Sequence, residues 1–379
     1  MRAIVVAIAS VVAAAKRRDR ECKDVGSALT DLVPALPRQN WAANGSTFVT
    51  QSLGNDSYAI VTAQYQTKID EETPVTSVLN EYPITTTSGG IIVTDKGVIV
   101  IEAFINRFLA CQVLDLIEDL DPKKPKIKYV AITNFHGDHA FGTAVFDNPD
   151  ITYVLHQNTY EHLTGSGLQS EIALLEDSFG FGRDAGIRAT AQAAVYDPAI
   201  TISNESGSFT LDGRTIETLY FGYLQSDGDQ LIWDPTSRSL WCGNMVVGPY
   251  KLPVKLDGGV DLAIDSYGRF KDWLVAAGPP MNVVPGHGYP MDHDTTLATV
   301  DFMIDYMIAL LAAAEDAVAN NLTIPELCAT YPAQVILNST DPLFSLFGIH
   351  SINLINTFLE ASGEDVQGSI NFCPFPNSP

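Results

Sequence analysis

The seven residues Thr133–His139, Thr-Asn-Phe-His-Gly-Asp-His, constrain the fold of this chain more than any other segment. The segment places two imidazoles and one carboxylate within four positions, a spacing typical of metal ligands. The preceding run, Ile127–Ile132, is apolar and predicts a buried strand. Because α/β folds place their chemistry in loops at the carboxyl ends of strands, we expect His136, Asp138 and His139 to converge on one point.

Segments on both sides of this motif predict further strands and helices. Residues 88–103 indicate two apolar strands joined by a Lys-Gly turn, and residues 208–220 a hairpin with Asp-Gly at its turn. A helix is expected from about Asn106 to Leu120; it ends at Asp121-Pro122, because the proline cannot continue it. An amphipathic helix is expected from Thr295 to about Asn320, and another near Ile352–Glu360.

Two segments resemble marker segments of the metallo-β-lactamase superfamily. The first is the loop above, where the family signature is His-x-His-x-Asp-His and this chain has Asn134 in place of the first His. The second is the Pro-Gly-His-Gly loop at residues 285–288, which matches the family without a change and supplies His287. Together the two loops indicate the fold far more strongly than either does alone.

The same resemblance identifies two further marker segments whose metal ligands are replaced. In residues 222–229, Gln225 stands where the family has a histidine ligand. In residues 240–244, Asn244 stands where the family has the carboxylate that bridges two metals. Both replacements are neutral carboxamides, which are weak ligands for zinc.

Sorted by the family's two metal sites, the replacements fall mainly on one of them. The degraded first site would consist of Asn134, His136 and Gln225. The complete second site would consist of Asp138, His139 and His287. The resemblance therefore implies a single zinc ion at the second site, with His136 as a further candidate ligand, and we do not expect a second metal.

The complete site would have the three protein ligands of a catalytic zinc and an open position for water. Bound zinc lowers the pKa of water from roughly 16 to about 7. The resemblance thus implies a hydrolase that cleaves an ester, lactone or amide by attack of zinc-bound hydroxide. Asp138 and His136 are the candidate catalytic residues, with His136 activating water. Asn134, Gln225 and Asn244 would line the vacant site and donate hydrogen bonds to the substrate.

Two other functions remain open from the sequence. Amides at three ligand positions are also the pattern of a scaffold that has lost catalysis and serves as a binding protein. A metal-dependent lyase or isomerase would use zinc as a Lewis acid without attack by water. Asp227 or Asp229 could replace a lost ligand if the loop were repositioned. The remaining histidines, His156, His162, His293 and His350, are expected in structural or surface roles.

The order of strands and helices predicts an α+β fold, the four-layer αββα sandwich of this superfamily with a helical C-terminal extension. A chain of 379 residues with 46% hydrophobic content can bury such a core. The expected division is a signal peptide at 1–15, an N-terminal segment at 16–40, the metallo-β-lactamase-like domain at 41–323 and the extension at 324–379.

The N-terminus and the glycosylation motifs predict a secreted protein. Residues 3–15 are apolar, lie between Arg2 and Lys16, and are too few for a membrane span. Five Asn-x-Ser/Thr sequons support a secreted glycoprotein: Asn44, Asn55, Asn204, Asn321 and Asn338. Of the five cysteines, Cys328 and Cys373 could form a disulfide, whereas Cys111 and Cys242 are as well explained as buried thiols.

The net charge of -23 argues against a nucleic-acid partner, since phosphates require Lys and Arg. It favours a neutral or cationic small-molecule substrate. No segment near the expected pocket is strongly basic, which argues against an anionic sulfate ester. The loop at residues 225–229 nevertheless resembles that of alkylsulfatase-like relatives, so the two indications conflict. The sequence leaves the oligomeric state open.

Overall fold

The computed structural model describes residues 48–62, 87–121, 126–175, 185–249, 251–257, 259–337 and 347–364, with residues 366 and 373. The expected signal peptide and N-terminal segment lie outside these residues, as do the sequons at Asn44 and Asn338. The three sequons within the described ranges, at Asn55, Asn204 and Asn321, are exposed. Secretion and glycosylation therefore stay predictions.

The first of two sheets contains seven strands in sequential order. They are β1 (Phe48–Gly54), β2 (Ser57–Thr62), β3 (Gly89–Thr94), β4 (Gly97–Ile101), β5 (Ile127–Ala131), β6 (Thr152–His156) and β7 (Ala199–Ile202). Strands β1 to β4 pair antiparallel, and β4 to β7 pair parallel. The predicted hairpin at residues 88–103 is confirmed as β3 and β4.

The second sheet contains six strands in the order β13-β12-β11-β10-β9-β8. They are β8 (Ser206–Leu211), β9 (Arg214–Leu219), β10 (Leu231–Asp234), β11 (Ser239–Trp241), β12 (Asn282–Val284) and β13 (Met291–Asp292). Only β11 and β12 pair parallel. The hairpin predicted at 208–220 is confirmed as β8 and β9.

The described helices are α1 (Arg107–Leu120), α2 (Gly137–Ala140), α3 (Gln157–Thr164), α4 (Gly167–Ala173), α5 (Ala185–Ala193), α6 (Val260–Ala277), α7 (His293–Ala319), α8 (Ile324–Thr330), α9 (Ala333–Ile336) and α10 (Phe347–Ala361). Short 3-10 turns span Phe141–Phe146 and Gly243–Met245. The predicted start of α1 is confirmed by its cap, because Asn106 Oδ1 accepts a hydrogen bond from Leu109 N at 3.0 Å.

Three apolar clusters define four layers. The central cluster joins the two sheets and includes Ile99, Ala131 and Val154 from the first and Ile232 and Trp241 from the second. Another packs α1 and its neighbours on the outer face of the first sheet. The last packs α6, α7 and α10 on the second sheet. The predicted αββα sandwich with C-terminal helices is therefore confirmed.

The indole of Trp241 connects the two sheets at the end that carries the site. Its Nε1 donates to Gly89 O at 3.0 Å. A Cβ at Gly90 would lie 2.2 Å from that nitrogen, so this position requires glycine. The contact fixes how closely β3 and β11 approach, and hence where the loops after β11 begin.

Helix α7 is long and apolar enough, by length and composition, to cross a membrane. Within the sandwich it buries Val300, Met303, Tyr306 and Met307 and packs against α6 and α10. This buried face is that of a core helix, as the methionine spacing predicted.

Helix α10 holds the segment 251–257, which follows the Asn244 turn, against the second sheet. Asn353 is fully buried; its Oδ1 accepts from Lys255 N at 2.9 Å and its Nδ2 donates to Pro253 O at 2.7 Å. The possible disulfide between Cys328 and Cys373 is confirmed. Cys242 is the buried free thiol expected, but the same expectation for Cys111 is wrong, because Cys111 is disulfide-bonded.

Candidate metal centre

The predicted site residues lie on four loops at one edge of the sandwich. His136, Asp138 and His139 follow β5, and His136 precedes the first turn of α2. Gln225 lies between β9 and β10, Asn244 lies in the turn after β11, and His287 follows β12. All are at least nine-tenths buried.

Asp138, His139 and His287 form one compact group. Asp138 Oδ2 lies 3.4 Å from His139 Nε2 and 3.3 Å from His287 Nε2. The three ligand atoms all lie within 4.8 Å of one another. The structure thus brings together the three residues predicted as the complete second site; His136 is not part of this group.

The three residues fit a bound zinc ion. Ligands at 2.0–2.1 Å in a tetrahedral arrangement are about 3.3–3.4 Å apart, which matches the two separations above. His139 Nε2 is buried and has no hydrogen-bond partner among the described residues. A buried imidazole nitrogen without a partner lowers the stability of the fold, and a metal ion bound to it would remove this cost.

A buried carboxylate orients His139 from behind. Glu102 Oε1 lies 3.0 Å from His139 Nδ1 and accepts a hydrogen bond from Thr133 Oγ1 at 2.5 Å. Burial of the His139 ring opposes its protonation, but Asp138 and Glu102 outweigh this and raise its pKa to about 9. When Nδ1 donates to Glu102, Nε2 is the nitrogen that can bind a metal.

The other two ligands are also fixed by neighbouring residues. Thr87 Oγ1 donates to Asp138 Oδ2 at 2.9 Å. The loop that carries His287 is tied to residue 88, since Ser88 N donates to Gly286 O at 2.7 Å and Ser88 Oγ to Gly288 O at 2.6 Å. Such outer contacts set the direction of metal-ligand atoms.

The residues of the degraded first site lie beside this group with unused hydrogen-bonding capacity. Asn134 Oδ1 accepts from His136 N at 3.0 Å. Among the described residues, Asn134 Nδ2, both ring nitrogens of His136 and Gln225 Oε1 have no hydrogen-bond partner. Burial lowers the pKa of His136 to about 3, so its ring is neutral at pH 7.

The remaining candidates have structural contacts. Asp229 Oδ2 accepts from Ser226 N at 2.6 Å, and burial raises the pKa of Asp229 to about 6. It does not join the metal-binding group. His156 caps α3, and His162 stacks on Phe135 with ring centroids 3.7 Å apart. His293 contacts the Leu274 carbonyl, and His350 the Tyr306 hydroxyl, as expected of structural histidines.

Sequence reasoning assigned no role to four residues of this site: Glu102, Thr133, Thr87 and Lys251. No local pattern marks the first three, because each meets its partner through the fold. Lys251 adds a positive charge beside the site, because its buried ammonium donates a hydrogen bond to His287 O at 3.1 Å. Burial lowers the pKa of Lys251 to about 8. The surroundings of the site are therefore less uniformly acidic than the sequence suggested.

Glu102→Gln tests the orienting role of this carboxylate. The amide keeps the size of the side chain but removes the charge that fixes His139, so we expect metal affinity to fall by about 10- to 100-fold. Competition with a chromophoric chelator measures the change. Unchanged affinity, with thermal stability also unchanged, would show that Glu102 does not support the ligand.

A sequence profile of the metallo-beta-lactamase superfamily matches residues 85–287. The match covers more than half of the chain and includes three marker loops and the fourth as far as His287. The chain belongs to the metallo-beta-lactamase superfamily. A search of curated proteins finds no significant match.

Two solved structures of alkylsulfatases are similar to this chain. The stereoselective inverting sec-alkylsulfatase Pisa1 from Pseudomonas sp. has a TM-score of 0.60 at 17% identity and covers 87% of this chain and 52% of its own. A double mutant of the sec-alkyl sulfatase PisA1 has a TM-score of 0.58 at 18% identity and covers 92% and 63%. The chain thus spans about half to three-fifths of these structures, and the likeness shows the fold alone.

Proposed function

We propose that this protein is a metal-dependent hydrolase with one zinc ion, which cleaves an ester, lactone or amide of a small molecule. The observation that carries the proposal is the buried group of Asp138, His139 and His287, whose ligand atoms lie within 4.8 Å of one another. Three protein ligands leave an open coordination position, as in catalytic zinc sites.

Bound zinc supplies Lewis acidity and makes water ionisable near neutral pH. Asp138, His139 and His287 hold the ion, and Glu102 and Thr87 orient two of these side chains. His136, neutral and without a hydrogen-bond partner among the described residues, is placed to accept a proton from water or to orient it.

The amides beside the metal group serve the substrate in this proposal. Asn134 Nδ2 is a buried donor without a partner in the described part of the chain, and Gln225 Oε1 is a buried acceptor in the same condition. A donor in a dry site can stabilise charge that develops on a substrate oxygen. One metal, rather than two, follows from the neutral amides at the first site.

Sulfate esters form a second substrate class to test. The buried ammonium of Lys251, which donates to the His287 carbonyl, favours an anionic substrate group nearby. The sequence alone did not indicate this positive charge. The structural likeness to sec-alkylsulfatases gives a reason to include secondary alkyl sulfates in a substrate panel. The net charge of -23 still favours neutral or cationic substrates, and no nucleic acid.

The test begins with metal content, measured by elemental mass spectrometry on the purified protein. About one zinc per chain is expected, and removal by a chelator should abolish turnover of an ester, lactone, amide and sulfate panel until zinc is restored. Incorporation of isotopically labelled water into the product separates hydrolysis from lyase or isomerase chemistry. Failure to retain metal after zinc is supplied would favour a non-catalytic binding scaffold.

A further inference from the structure

Asn244 lies beside His287, a ligand of the second site, although the sequence assigned it to the vacant first site. It lies in the 3-10 turn Gly243–Met245 directly after β11 and is 6% exposed. Its Oδ1 faces the loop that carries His287: a Cβ placed at Gly286 would lie 2.7 Å from this oxygen. Glycine at that position lets the amide reach the metal-binding group.

The amide oxygen lies within the spacing of the ligand group. Asn244 Oδ1 is 3.0 Å from His287 Nε2, and the same nitrogen is 3.3 Å from Asp138 Oδ2. Neighbouring ligands of one ion, with bonds of about 2.0–2.1 Å, are about 3.0 Å apart in an octahedral and about 3.3 Å apart in a tetrahedral arrangement. The distance from Asn244 Oδ1 to His287 Nε2 is therefore that of two neighbouring ligands of one ion.

A hydrogen bond between His287 and Asn244 is the alternative use of this contact. It requires a proton on His287 Nε2, which is the nitrogen that faces Asp138 Oδ2. When Nε2 binds a metal it carries no proton, and Asn244 Oδ1 loses its donor. The Asn244 side chain also interacts with the His139 ring, whose Nε2 likewise carries no proton when it binds the ion, so the ion itself would become the partner of Oδ1.

We propose that the Asn244 side-chain oxygen is a fourth protein ligand of the single metal ion, in a set of two imidazoles and two oxygens with Asp138, His139 and His287. This inference rests on the proposed function and changes the role expected of Asn244, from a residue that lines the vacant site to one that binds the ion. A neutral amide adds a donor without a second negative charge, so it leaves the ion more electrophilic than a carboxylate would.

With four protein ligands, the ion would need to accept a fifth ligand when substrate or water binds. Zinc sites can expand from four to five ligands, so a fourth protein ligand does not prevent catalysis. Carbonyl oxygen also suits harder ions than imidazole does, so this set should tolerate Mn²⁺ better than a site with imidazoles alone.

Metal affinity and the visible spectrum of the Co²⁺-loaded protein test the proposal without any measurement of turnover. Asn244→Ala should weaken zinc binding by about 10-fold or more and alter the Co²⁺ absorption, because a ligand is lost. Asn244→Asp keeps the oxygen and adds charge, so it should bind zinc at least as tightly as the native chain. Gln225→Ala, which removes another buried amide near the site, should leave both readouts unchanged.

Two outcomes would overturn this inference. Native affinity and a native Co²⁺ spectrum in Asn244→Ala would show that Asn244 only accepts a hydrogen bond. An equal loss in Gln225→Ala would show a general effect of removing buried amides. If the native chain binds no metal at all, the proposed function itself fails, which is a different result. Thermal unfolding of each variant shows whether it folds. If Asn244→Ala does not fold, the zinc affinity of Asn244→Asp is the deciding measurement.

Discussion

His287→Ala is expected to remove both the metal and the turnover, whereas His136→Ala should leave the metal bound and lower the turnover. His287 supplies one of three close ligand atoms, at 3.3 Å from Asp138 Oδ2, and no histidine of the described chain besides His139 and His287 belongs to that group. Loss of His287 removes one of the two imidazoles and leaves Asp138, His139 and, at most, the weakly binding amide of Asn244, a set too weak to retain zinc. Turnover should then fall to the uncatalysed rate.

The His136 variant separates metal binding from catalysis. Its ring nitrogens have no hydrogen-bond partner in the described residues and do not belong to the ligand group. General acid–base groups contribute about 10²- to 10⁴-fold to rates, and we expect the low end here. The reason is that burial lowers the pKa of His136 to about 3, which makes the ring a weak base.

Metal content by elemental analysis and turnover of the best substrate give the two readouts. His293→Ala is the matched control, because His293 is also buried but contacts the Leu274 carbonyl at 3.0 Å, away from the ligand group. It should change stability alone. If His287→Ala kept native metal content, or if His136→Ala lost the metal, the assignment of the two roles would be wrong.

The fold and the ligand group could be predicted because their signals are local. The Thr133–His139 loop carries two ligands within two positions, and His287 lies in a four-residue loop that matches the family. The hairpins around Gly97 and Gly213 were predictable for the same reason, since turn residues and alternating apolar residues are read within a few positions.

The supporting residues could not be predicted because they act across long stretches of chain. Glu102 is 37 positions before His139 and is followed by an ordinary apolar sequence. Only the parallel pairing of β4 with β5 brings it behind the imidazole. Lys251 lies in no basic segment, so composition gave no sign that a single ammonium would contact the His287 carbonyl.

Asn244 illustrates the limit of a family resemblance. Its match to the bridging carboxylate predicted only that charge had been lost, and from that we expected a residue of the vacant site. The contact with His287 crosses 43 positions and depends on how closely β11 and β12 run in parallel. The resemblance therefore placed Asn244 at the metal site, but only the interatomic distances in the structure indicate which role it has there.

Restoring Asn134→His, Gln225→His and Asn244→Asp together should raise the metal content from about one towards about two ions per chain. The three positions are buried, and those at Asn134 and Gln225 carry polar atoms without partners in the described chain, so new ligands would displace few existing contacts. Two-metal sites hold their ions about 3.5–4 Å apart and share a carboxylate, which Asn244→Asp would provide.

The double variant Asn134→His with Gln225→His is the control for this reversal. It rebuilds the imidazoles without the shared carboxylate, so it should hold a second ion only weakly. Larger side chains in a packed site cost about 1–3 kcal/mol, so thermal stability must be measured alongside metal content. A folded triple variant that still binds one ion would mean that these three positions do not form the lost site. The neutral amides would then not be the reason why the native chain binds a single metal.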